Sequence, residues 1–471
     1  AGLAWASATV SSENSVGLVR LAVRGAATKL PAFAPQDLTN LAWALARSRV
    51  DDAEFLLALA RESELKLAQF GPQNLSNLAW ACATLGFCAF ELLRSIGLAA
   101  LRQLDDFGPQ ELSNLAWASA TLRPPGSEHL CRALAEAAAP RAASFRPQEL
   151  VNTVWALATV TLHDGPLLQA VSQQVVSRPE PFKPQEVANL AWAYAVLDEP
   201  DLRLCHALAE EAAPKLLHFK PQELAGLAWG LSAQSAQSAS LFRRLAGQAA
   251  AVMADFKLQE LASLSWAFAT LEELDGASRE LLRALAEEFK GRLSGRGDIL
   301  EESTAPAVFA ADVAAVLWAL HFAGSLEEGV EEAARGAVLR IGGRLDAAGG
   351  IAPLSALAER LDAAPIEKAN EPSVLLSLPD RLVLWKPSGW EVERTAGQAD
   401  SVAEGGLGGR RRAEQLPGYV QALSPPRRSP LAADGGHHHG LLHRLDVPSS
   451  GLILVARTYE AYYDLELQLR T

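Results

Sequence analysis

Cysteine is scarce in this chain, with four among 471 residues. Cys82 and Cys88 are too far apart in the sequence to form the CxxC pair that binds zinc. Cys131 and Cys205 occupy matching phrases, LCRALAEAAAP and LCHALAEEAAP. This spacing predicts neither a disulfide framework nor a metal site. We expect the cysteines to be ordinary buried core residues, since a free cysteine behaves as a small hydrophobe.

Long apolar runs and an excess of positive charge are also missing. No stretch of about 18 consecutive apolar residues occurs, so the sequence predicts no membrane span. The net charge is −13, which counts against a uniformly phosphate-binding surface, although a repeat array can be basic on one face and acidic on another. The chain opens at Ala1 inside a phrase that recurs later. We therefore expect the natural N-terminus, and any targeting peptide with it, to be missing.

What the chain has instead is a tryptophan at nearly constant intervals. Consecutive members of the series are 37 or 38 residues apart: Trp5, Trp43, Trp80, Trp117, Trp155, Trp192, Trp229 and Trp266. Each stands in a phrase such as FGPQNLSNLAWACA or FKPQEVANLAWAYA, and a degenerate copy near Trp318 ends the series. So regular a period is typical of a stacked repeat array.

Each phrase has the pattern of a helix start. Proline suits the first helical position, and the acidic residue two places later lies in the first turn, where it complements the helix dipole. Leu75, Leu78, Ala79 and Cys82 form an apolar stripe at i, i+3, i+4 and i+7. A second helix follows in every repeat. The fold prediction is therefore mainly α: an α-solenoid of helical hairpins of about 37 residues, each burying its stripes against its neighbours.

Two variable positions are candidates for contacting a ligand. The first precedes a recurring asparagine and holds Thr39, Ser76, Ser113, Val151, Ala188, Ala225 and Ala262. The second precedes the proline or its substitute and carries four successive basic residues, which we call the basic ladder: Arg146, Lys183, Lys220 and Lys257. The ladder predicts phosphate contacts along one face, the alternative being solvated charges at helix starts.

The recurring asparagine and tryptophan each leave two interpretations open. The asparagine series is Asn40, Asn77, Asn114, Asn152 and Asn189, followed by Gly226 and Ser263. These amides either bond to the adjacent turn or contact a ligand edge. The indoles are either part of the core or exposed stacking platforms.

The array resembles the octotricopeptide and heptatricopeptide repeat families of organelles, and the repeat subunits of RNA-editing substrate-binding complexes. The resemblance covers Ala1 to Phe322. It implies single-stranded RNA held in a groove lined by successive first helices, with the basic ladder on the RNA backbone. It also suggests a mitochondrion or chloroplast, which the sequence itself does not establish. An armadillo-like scaffold that binds proteins through the repeat surface stays open as an alternative.

The chain changes character after the repeats. We predict an array over 1–345, a cap and linker over 346–373, and an α+β segment over 374–471 that contains a low-complexity insertion at 396–440. RLVLWKPSGWEVE reads as a strand, a turn and a second short strand. The adjacent His437, His438 and His439 lack the i, i+4 spacing that directs two rings at one ion, so we predict no metal there.

The phrase HRLDVPSSGLILVART begins at His443. Taken alone, its aspartate reads as a residue that caps a turn ahead of proline and serine. However, the phrase closely resembles the signature motif of RsuA/RluA-type pseudouridine synthases, and VLWKPSGWEV resembles the strand and turn that open that catalytic domain. The resemblance covers Leu375 to Thr471, about half of such a domain.

This second resemblance implies site residues. Asp446 matches the catalytic aspartate, which acts on uridine in RNA without a metal or nucleotide cofactor. Arg444 matches the arginine that holds the flipped nucleotide, and His443, Ser450 and Gly451 match positions that shape the loop. The family's Lys-x-Tyr segment and the basic partner of the aspartate do not occur before Thr471. We therefore expect the 471-residue chain to be inactive by itself.

The sequence thus supports a primary hypothesis and two alternatives. The primary hypothesis is an RNA pseudouridine synthase targeted by an RNA-binding repeat array. The alternatives are a non-catalytic organellar RNA-binding repeat protein with an inactive synthase-like tail, and the protein scaffold. In all three the segment after the repeats is a truncated synthase-like domain, and no membrane contact is predicted.

Overall fold

The computed structural model describes residues 1–10, 15–177, 181–236, 238–295, 305–349, 371–392, 414–423 and 429–470. It consists of two compact units, Ala1–Ala251 and Val252–Thr471. The first unit is entirely helical in its described part. The second combines the last repeats with a small sheet. Helices dominate both units, and this confirms the predicted mainly α class.

Each repeat begins with a first helix that carries the tryptophan. These helices are α1 Gly2–Val10, α3 Pro35–Arg47, α5 Pro72–Leu85, α7 Pro109–Leu122, α9 Pro147–Thr159, α11 Pro184–Val196, α13 Pro221–Ala233, α15 Leu258–Ala269 and α17 Pro306–Phe322. Proline occupies the first position of most of them, as predicted. The glutamate two residues later accepts the backbone N–H of the residue before the helix, for example Glu186 from Lys183 at 2.8 Å. A local sequence signal therefore sets these starts.

A second helix follows each first helix. These are α2 Ser15–Ala26, α4 Ala53–Leu65, α6 Phe90–Leu101, α8 Ser127–Ala138, α10 Gly165–Ser177, α12 Leu202–Ala212, α14 Ala239–Ala251, α16 Gly276–Ser294 and α18 Glu328–Ala348. Short 3₁₀ turns close several of the repeats.

Three of the predicted core cysteines, Cys82, Cys131 and Cys205, are buried. The prediction was wrong for Cys88, which is exposed between two helices.

First helices pack side by side within each unit. The closest approach is that of α13 to α11, where Gly230 lies against the backbone of α11. A methyl group added at Gly230 would come within 2.8 Å of the backbone nitrogen of Trp192. The other first helices all have alanine at this position. Small residues thus allow neighbouring repeats to stack with their backbones close together.

A long polar side chain ties each of several repeats to the repeat before it. Lys66 donates to the carbonyl of Phe33 at 2.8 Å, and Gln103 to that of Phe70 at 3.1 Å. The same tie recurs further along the chain: Arg141 to Phe107 and Lys215 to Phe182 at 2.8 Å, and Arg292 to Phe256 at 2.5 Å. The sequence analysis missed these residues. Their signal was a lysine, glutamine or arginine 33 to 36 residues after each of these five phenylalanines.

The segment after the array forms a three-stranded antiparallel sheet. Its strands are β1 Ser373–Ser377, β2 Arg381–Lys386 and β5 Gly451–Ala456, with β2 in the centre. A parallel pair, β3 Trp390–Glu391 and β4 Glu414–Gln415, lies beside helix α19 Leu416–Leu423. The strand, turn and short strand predicted for RLVLWKPSGWEVE are confirmed. The predicted insertion at 396–440 includes structure that its composition did not predict, because α19 and two 3₁₀ segments lie inside it.

Helix α20, Tyr459–Arg470, packs against α18, the last helix of the array. Gly342 of α18 faces the start of α20 so closely that a methyl group there would lie 2.6 Å from the backbone nitrogen of Glu460. Asp346 accepts the N–H groups of Tyr459 at 2.8 Å and of Glu460 at 3.0 Å. The last helix of the array therefore contributes the cap of α20, the C-terminal helix of the described chain. The tripartite division at 345 and 373 stays a prediction.

Among the described helices, none combines the length and the hydropathy needed to cross a bilayer. In the same part of the chain, no group of three or more histidine, cysteine, aspartate or glutamate side chains is arranged to hold a metal ion.

Candidate RNA-binding face and synthase-like loop

One face of every first helix is turned away from its neighbours. In α5 this face carries Gln73, Asn77 and Trp80, at i, i+4 and i+7. The glutamine is exposed and the other two are half-buried, whereas Leu75 and Leu78 are buried. We call the series of asparagine and tryptophan side chains on this face the amide–indole stripe. It consists of Asn40, Trp43, Asn77, Trp80, Asn114, Trp117, Asn152, Trp155, Asn189 and Trp192.

The variable position before each asparagine does not lie on this face. Its seven residues are between 1% and 6% exposed, because they point toward the neighbouring first helix: Thr39, Ser76, Ser113, Val151, Ala188, Ala225 and Ala262. The expectation that this position contacts a ligand was therefore wrong. One step along a helix turns the side chain by about 100°, which is enough to move it from the open face to the packed flank.

The asparagines of the stripe do not bond to an adjacent turn. Asn40 accepts a hydrogen bond from Gln36 at 3.0 Å. Within the described residues, the amides of Asn77, Asn114, Asn152 and Asn189 have no protein partner. The structure therefore disfavours the turn-bonding interpretation and leaves four half-buried amides able to bind something else.

The indoles of the stripe are neither core residues nor fully exposed platforms. Each is half-buried in its helix, whereas Trp5, which precedes the stripe, is 46% exposed. Two pairs of tryptophans from neighbouring repeats pack with tilted rings, with centroids 6.4 Å apart for Trp5 and Trp43 and 6.5 Å apart for Trp155 and Trp192. The stripe therefore presents half-buried indole rings on this face.

The four residues of the basic ladder are the N-caps of α9, α11, α13 and α15, and all four are exposed. Each donates its backbone N–H to the glutamate of the first turn at 2.8 or 2.9 Å. Two of these carboxylates, Glu149 and Glu186, are buried. The carboxylates are therefore occupied by hydrogen bonds at the helix starts, while the lysine side chains are exposed.

Arg146 differs from the three lysines of the ladder. Its Nε donates to Glu149 at 2.8 Å, and its guanidinium also reaches Gln110 at 3.4 Å. The hydrogen bond to Glu149 raises the pKa of Arg146 above its ordinary value. An arginine already paired in this way offers less charge to a phosphate than Lys183, Lys220 or Lys257.

Asp446 lies in the loop between His443 and β5. Its backbone carbonyl accepts the N–H of Ser449 at 2.9 Å, which closes a turn. The side chain is exposed, and among the described residues no donor reaches its carboxylate. Asp446 therefore does not use its side chain to cap the turn, so the carboxylate is available to a ligand.

A buried lysine holds this loop in place. Lys386, at the end of β2, is 0% exposed and donates to the carbonyls of Ser449 at 2.6 Å, Asp446 at 3.1 Å and Val447 at 3.4 Å. Burial lowers the pKa of Lys386, and the nearby Asp446 opposes that shift. The sequence analysis noted the Lys-Pro-Ser-Gly turn but not this role. The signal was a lysine inside an alternating strand.

The other predicted loop residues surround Asp446 in different ways. His443 accepts the N–H of Leu454 at 3.2 Å, which ties the loop to β5. Gly451 lies so close to Leu445 that an added methyl would come within 2.9 Å of it. Arg444 and Ser450 are exposed. A shallow pocket of about 160 Å³ beside the loop is lined by Val392, His438, Leu441, Leu442, His443 and Arg444.

The ring of His437 is held by hydrogen bonds and ring contacts with other side chains. Its ring bonds to the carboxylate of Asp434 at 2.8 Å and to the hydroxyl of Tyr463 at 2.7 Å, and it packs edge-on against three tyrosines of α20: Tyr459, Tyr462 and Tyr463. Both ring nitrogens are thus engaged by protein groups. This histidine connects the segment before the loop to α20.

Residues 127–291 are similar to the family described as RNA-editing substrate-binding complex 6 protein. This stretch runs from α8 to α16 and includes the whole basic ladder. No curated protein matches the chain. The match supports the repeat resemblance and does not extend to the synthase-like segment.

Proposed function

We propose that this protein is an RNA-binding repeat protein that serves as a non-catalytic component of an RNA-processing assembly of the RNA-editing substrate-binding type. The observation that carries the proposal is the basic ladder, four exposed basic N-caps at equivalent positions of successive first helices. The family match over 127–291 supports it, since that family is named for binding RNA-editing substrates.

The basic ladder would allow a protein with a negative net charge to bind RNA. The whole chain has a net charge of −13, so unspecific attraction to phosphate is weak. Binding would depend on the few cations at equivalent helix starts in successive repeats. Counterions released at those contacts would make the affinity depend on salt.

The test is the salt dependence of RNA binding. Replacing the four ladder residues by alanine should weaken binding to a single-stranded RNA and flatten the plot of log affinity against log salt. With roughly 0.7 per phosphate contact for single strands, we expect the slope to change by about 2 to 3. The lower value corresponds to three free lysines, with Arg146 occupied by Glu149.

A matched control removes four arginines from the second helices: Arg132, Arg203, Arg244 and Arg283, all exposed and lying on α8, α12, α14 and α16. This control has the same net charge as the ladder variant and should keep most of the wild-type slope. Equal losses in both variants would contradict a localised site. Absence of RNA binding by the wild type would favour the protein scaffold.

The second candidate function is pseudouridine synthesis in RNA. The specific observation that favours it is the exposed, unbonded carboxylate of Asp446 on a loop held by Lys386. A carboxylate in such a position can attack or stabilise the electron-poor ribose centre when the glycosidic bond breaks, and no metal or nucleotide cofactor is required. Arg444, exposed beside it, would brace the extruded nucleotide.

The test of this second function is tritium release from RNA labelled at C5 of uridine, measured with the complete gene product. Asp446→Asn keeps the shape of the loop and removes the charge and the nucleophile. We expect turnover to fall by at least a thousandfold, about 4 kcal/mol of barrier. Arg470→Gln, an exposed change on α20, is the control and should retain activity. Equal rates for wild type and Asp446→Asn would contradict the synthase assignment.

A further inference from the structure

We propose that a cavity between α10 and α12 binds an arginine side chain from a basic segment of a protein partner. The inference rests on the proposed role as a component of an assembly, for which it names a partner surface, and it does not require RNA binding. The cavity lies within the first compact unit, and no residue of the basic ladder lines it.

The cavity lies where two consecutive second helices begin. Its volume is about 490 Å³, within the range of roughly 300–1,000 Å³ that is usual for binding pockets. Helices α10 and α12 start at Gly165 and Leu202, and the loop that follows α11 contributes to the wall between them. The lining includes Pro166, Leu168, Tyr194, Glu199, Pro200 and Asp201.

One lining residue is specific to this repeat. Tyr194 follows the tryptophan of α11 by two residues, where the other first helices have leucine, cysteine, serine or phenylalanine. Its side chain is buried, and its hydroxyl donates to the carbonyl of Leu168 at 2.6 Å. Burial raises the pKa of Tyr194 above its ordinary value, so the hydroxyl stays protonated. The tyrosine therefore joins α11 to α10 and forms part of a fixed wall.

The charged side chains of the lining are both carboxylates. Asp201 uses its two oxygens within the protein: one accepts two backbone N–H groups of α12, and the other accepts the hydroxyl of Ser172 at 2.5 Å. Glu199 is half-buried and bonds through one oxygen to His163 at 2.6 Å. Its second oxygen has no protein partner among the described residues. The cavity therefore presents one available carboxylate oxygen and no cationic side chain.

This lining favours an organic cation. A divalent metal ion needs several oxygen ligands, and only one carboxylate oxygen is available. Nucleic acid is disfavoured by sign, because its phosphates would meet two carboxylates without a cation between them. The ligand that remains is a positively charged group small enough for the cavity.

The apolar part of the lining favours arginine among the organic cations. Pro166, Leu168 and Pro200 provide apolar surface, and Leu202, next to Asp201 in the chain, is 64% exposed. The methylene stem of an arginine packs against such groups while its charged head pairs with a carboxylate. Its guanidinium is more weakly hydrated than the ammonium of lysine, which suits a half-buried partner such as Glu199.

The cavity and the basic ladder lie at opposite ends of one first helix. Lys183 is the N-cap of α11, and the acidic loop begins after its last residue, Val196. The 13 residues of this helix span roughly 20 Å. The sign of the charge thus changes from one end of α11 to the other, so a basic protein and an RNA need not compete for the same residues.

The experiment measures the fluorescence anisotropy of a labelled short peptide of alternating glycine and arginine. A second peptide has citrulline, the neutral analogue of similar shape, in place of arginine. At about 0.15 M salt, which screens unspecific attraction, the wild type should bind the arginine peptide at least tenfold more tightly. Glu199→Gln keeps the shape of the side chain and should remove most of this preference, because the charge-assisted hydrogen bond is lost.

Two matched controls separate the cavity from general effects of charge and size. Glu210 also pairs with a histidine, His206 at 3.4 Å, but it is exposed on α12 and does not line the cavity. Glu210→Gln should therefore bind like the wild type. Gln169→Trp, which fills the cavity from α10, should lose binding, whereas Gln173→Trp, one turn further and outside the lining, should not. Thermal unfolding of each variant reports whether it folds.

The outcomes distinguish this inference from RNA binding. Equal affinity for the two peptides, or equal effects of Glu199→Gln and Glu210→Gln, would overturn the cavity proposal, because both indicate unspecific attraction. A folded Gln169→Trp variant with wild-type affinity would overturn it as well. RNA binding through the basic ladder would stand in each case if the ladder variant still lost affinity and salt dependence. Loss of RNA binding alone would leave the cavity proposal intact.

Discussion

Asp312 lies further inside its helix than the equivalent acidic residue of the preceding repeats. The repeats before it place an acid in the first turn, where Glu260 accepts the backbone N–H of Lys257. Helix α17 begins at Pro306, so Asp312 lies in its second turn, where the backbone N–H groups are already used. Burial without such a donor raises the pKa of Asp312 from 3.8 to about 6.

We predict that Asp312→Asn stabilises the protein at neutral pH. The folded-state pKa lies above the unfolded one, so the wild type loses stability as the pH rises from about 4 through about 6. Asparagine removes this loss. Because Asp312 is only half-buried, we expect a gain of about 1 kcal/mol at pH 8 and almost none at pH 4.

Urea unfolding followed at both pH values measures this difference. Glu280→Gln, an exposed change on α16, is the control and should behave alike at the two pH values. A gain for Asp312→Asn that is the same at pH 4 and pH 8 would show that titration of Asp312 is not its cause.

At the same scale, the sequence predicted the exposure of site residues correctly where the residue's place at a helix start determines it. It predicted exposure incorrectly where the direction of the side chain on the helix determines it. The basic ladder is exposed as predicted, since N-cap residues stand outside the helix. The position before each asparagine varies as a reading position would, yet it is buried. Only the packing of neighbouring first helices distinguishes that flank from the open face. Lys386 was missed because its partners are carbonyls about 60 residues away.

At the scale of elements, glycines mark where helices come closest. Gly230 and Gly342 both face the backbone of another helix, and neither has a positive φ. Gly247 and Gly343 also lie inside helices but have no neighbouring atom within 4 Å of an added methyl. The four positions form two matched pairs for separating contact from helix propensity.

For the first pair, Gly230→Ala should destabilise the protein by about 1–3 kcal/mol, because α13 must move away from α11. Gly247→Ala should stabilise it by ~0.5–1 kcal/mol, since alanine loses less chain entropy in an exposed helix. Denaturant titration gives both values. A stabilising Gly230→Ala would mean that the two helices are less close than described.

For the second pair, Gly342→Ala should loosen α20 from α18, whereas Gly343→Ala should not. The added methyl would meet the backbone of Glu460 and displace the two N–H groups that Asp346 accepts. Hydrogen exchange of residues 459–470 should accelerate at least tenfold in the first variant only. Unchanged exchange would mean that Asp346 does not hold this helix start.

Element starts were the best predicted part of the fold. The proline and the acid of each repeat act within one helical turn, so the sequence specifies the helix start locally. The docking of α20 on α18 joins residues more than 100 positions apart, Asp346 with Tyr459 among them. No local pattern carries such information, and the sequence therefore suggested only a cap and a linker at this place.

At the scale of the whole molecule, the net charge of the chain and the charge of its basic ladder differ in sign. The net charge of the chain, −13, argues against a polyanion as its partner. The placement of three exposed lysines at equivalent helix starts argues for one. The period revealed this placement, since residues about 37 apart occupy equivalent positions in successive repeats. The family match over 127–291 covers the same repeats.

The ties between repeats have a consequence for how such an array can grow. Each tie needs one long side chain, such as Lys66 or Arg141, and a phenylalanine carbonyl in the preceding repeat. The acceptor is a backbone atom, so any repeat supplies it whatever its sequence. A duplicated stretch of coding sequence one period long would therefore bring its own donor and meet a ready acceptor. The ties would therefore place no sequence requirement on the repeat that precedes a newly added one.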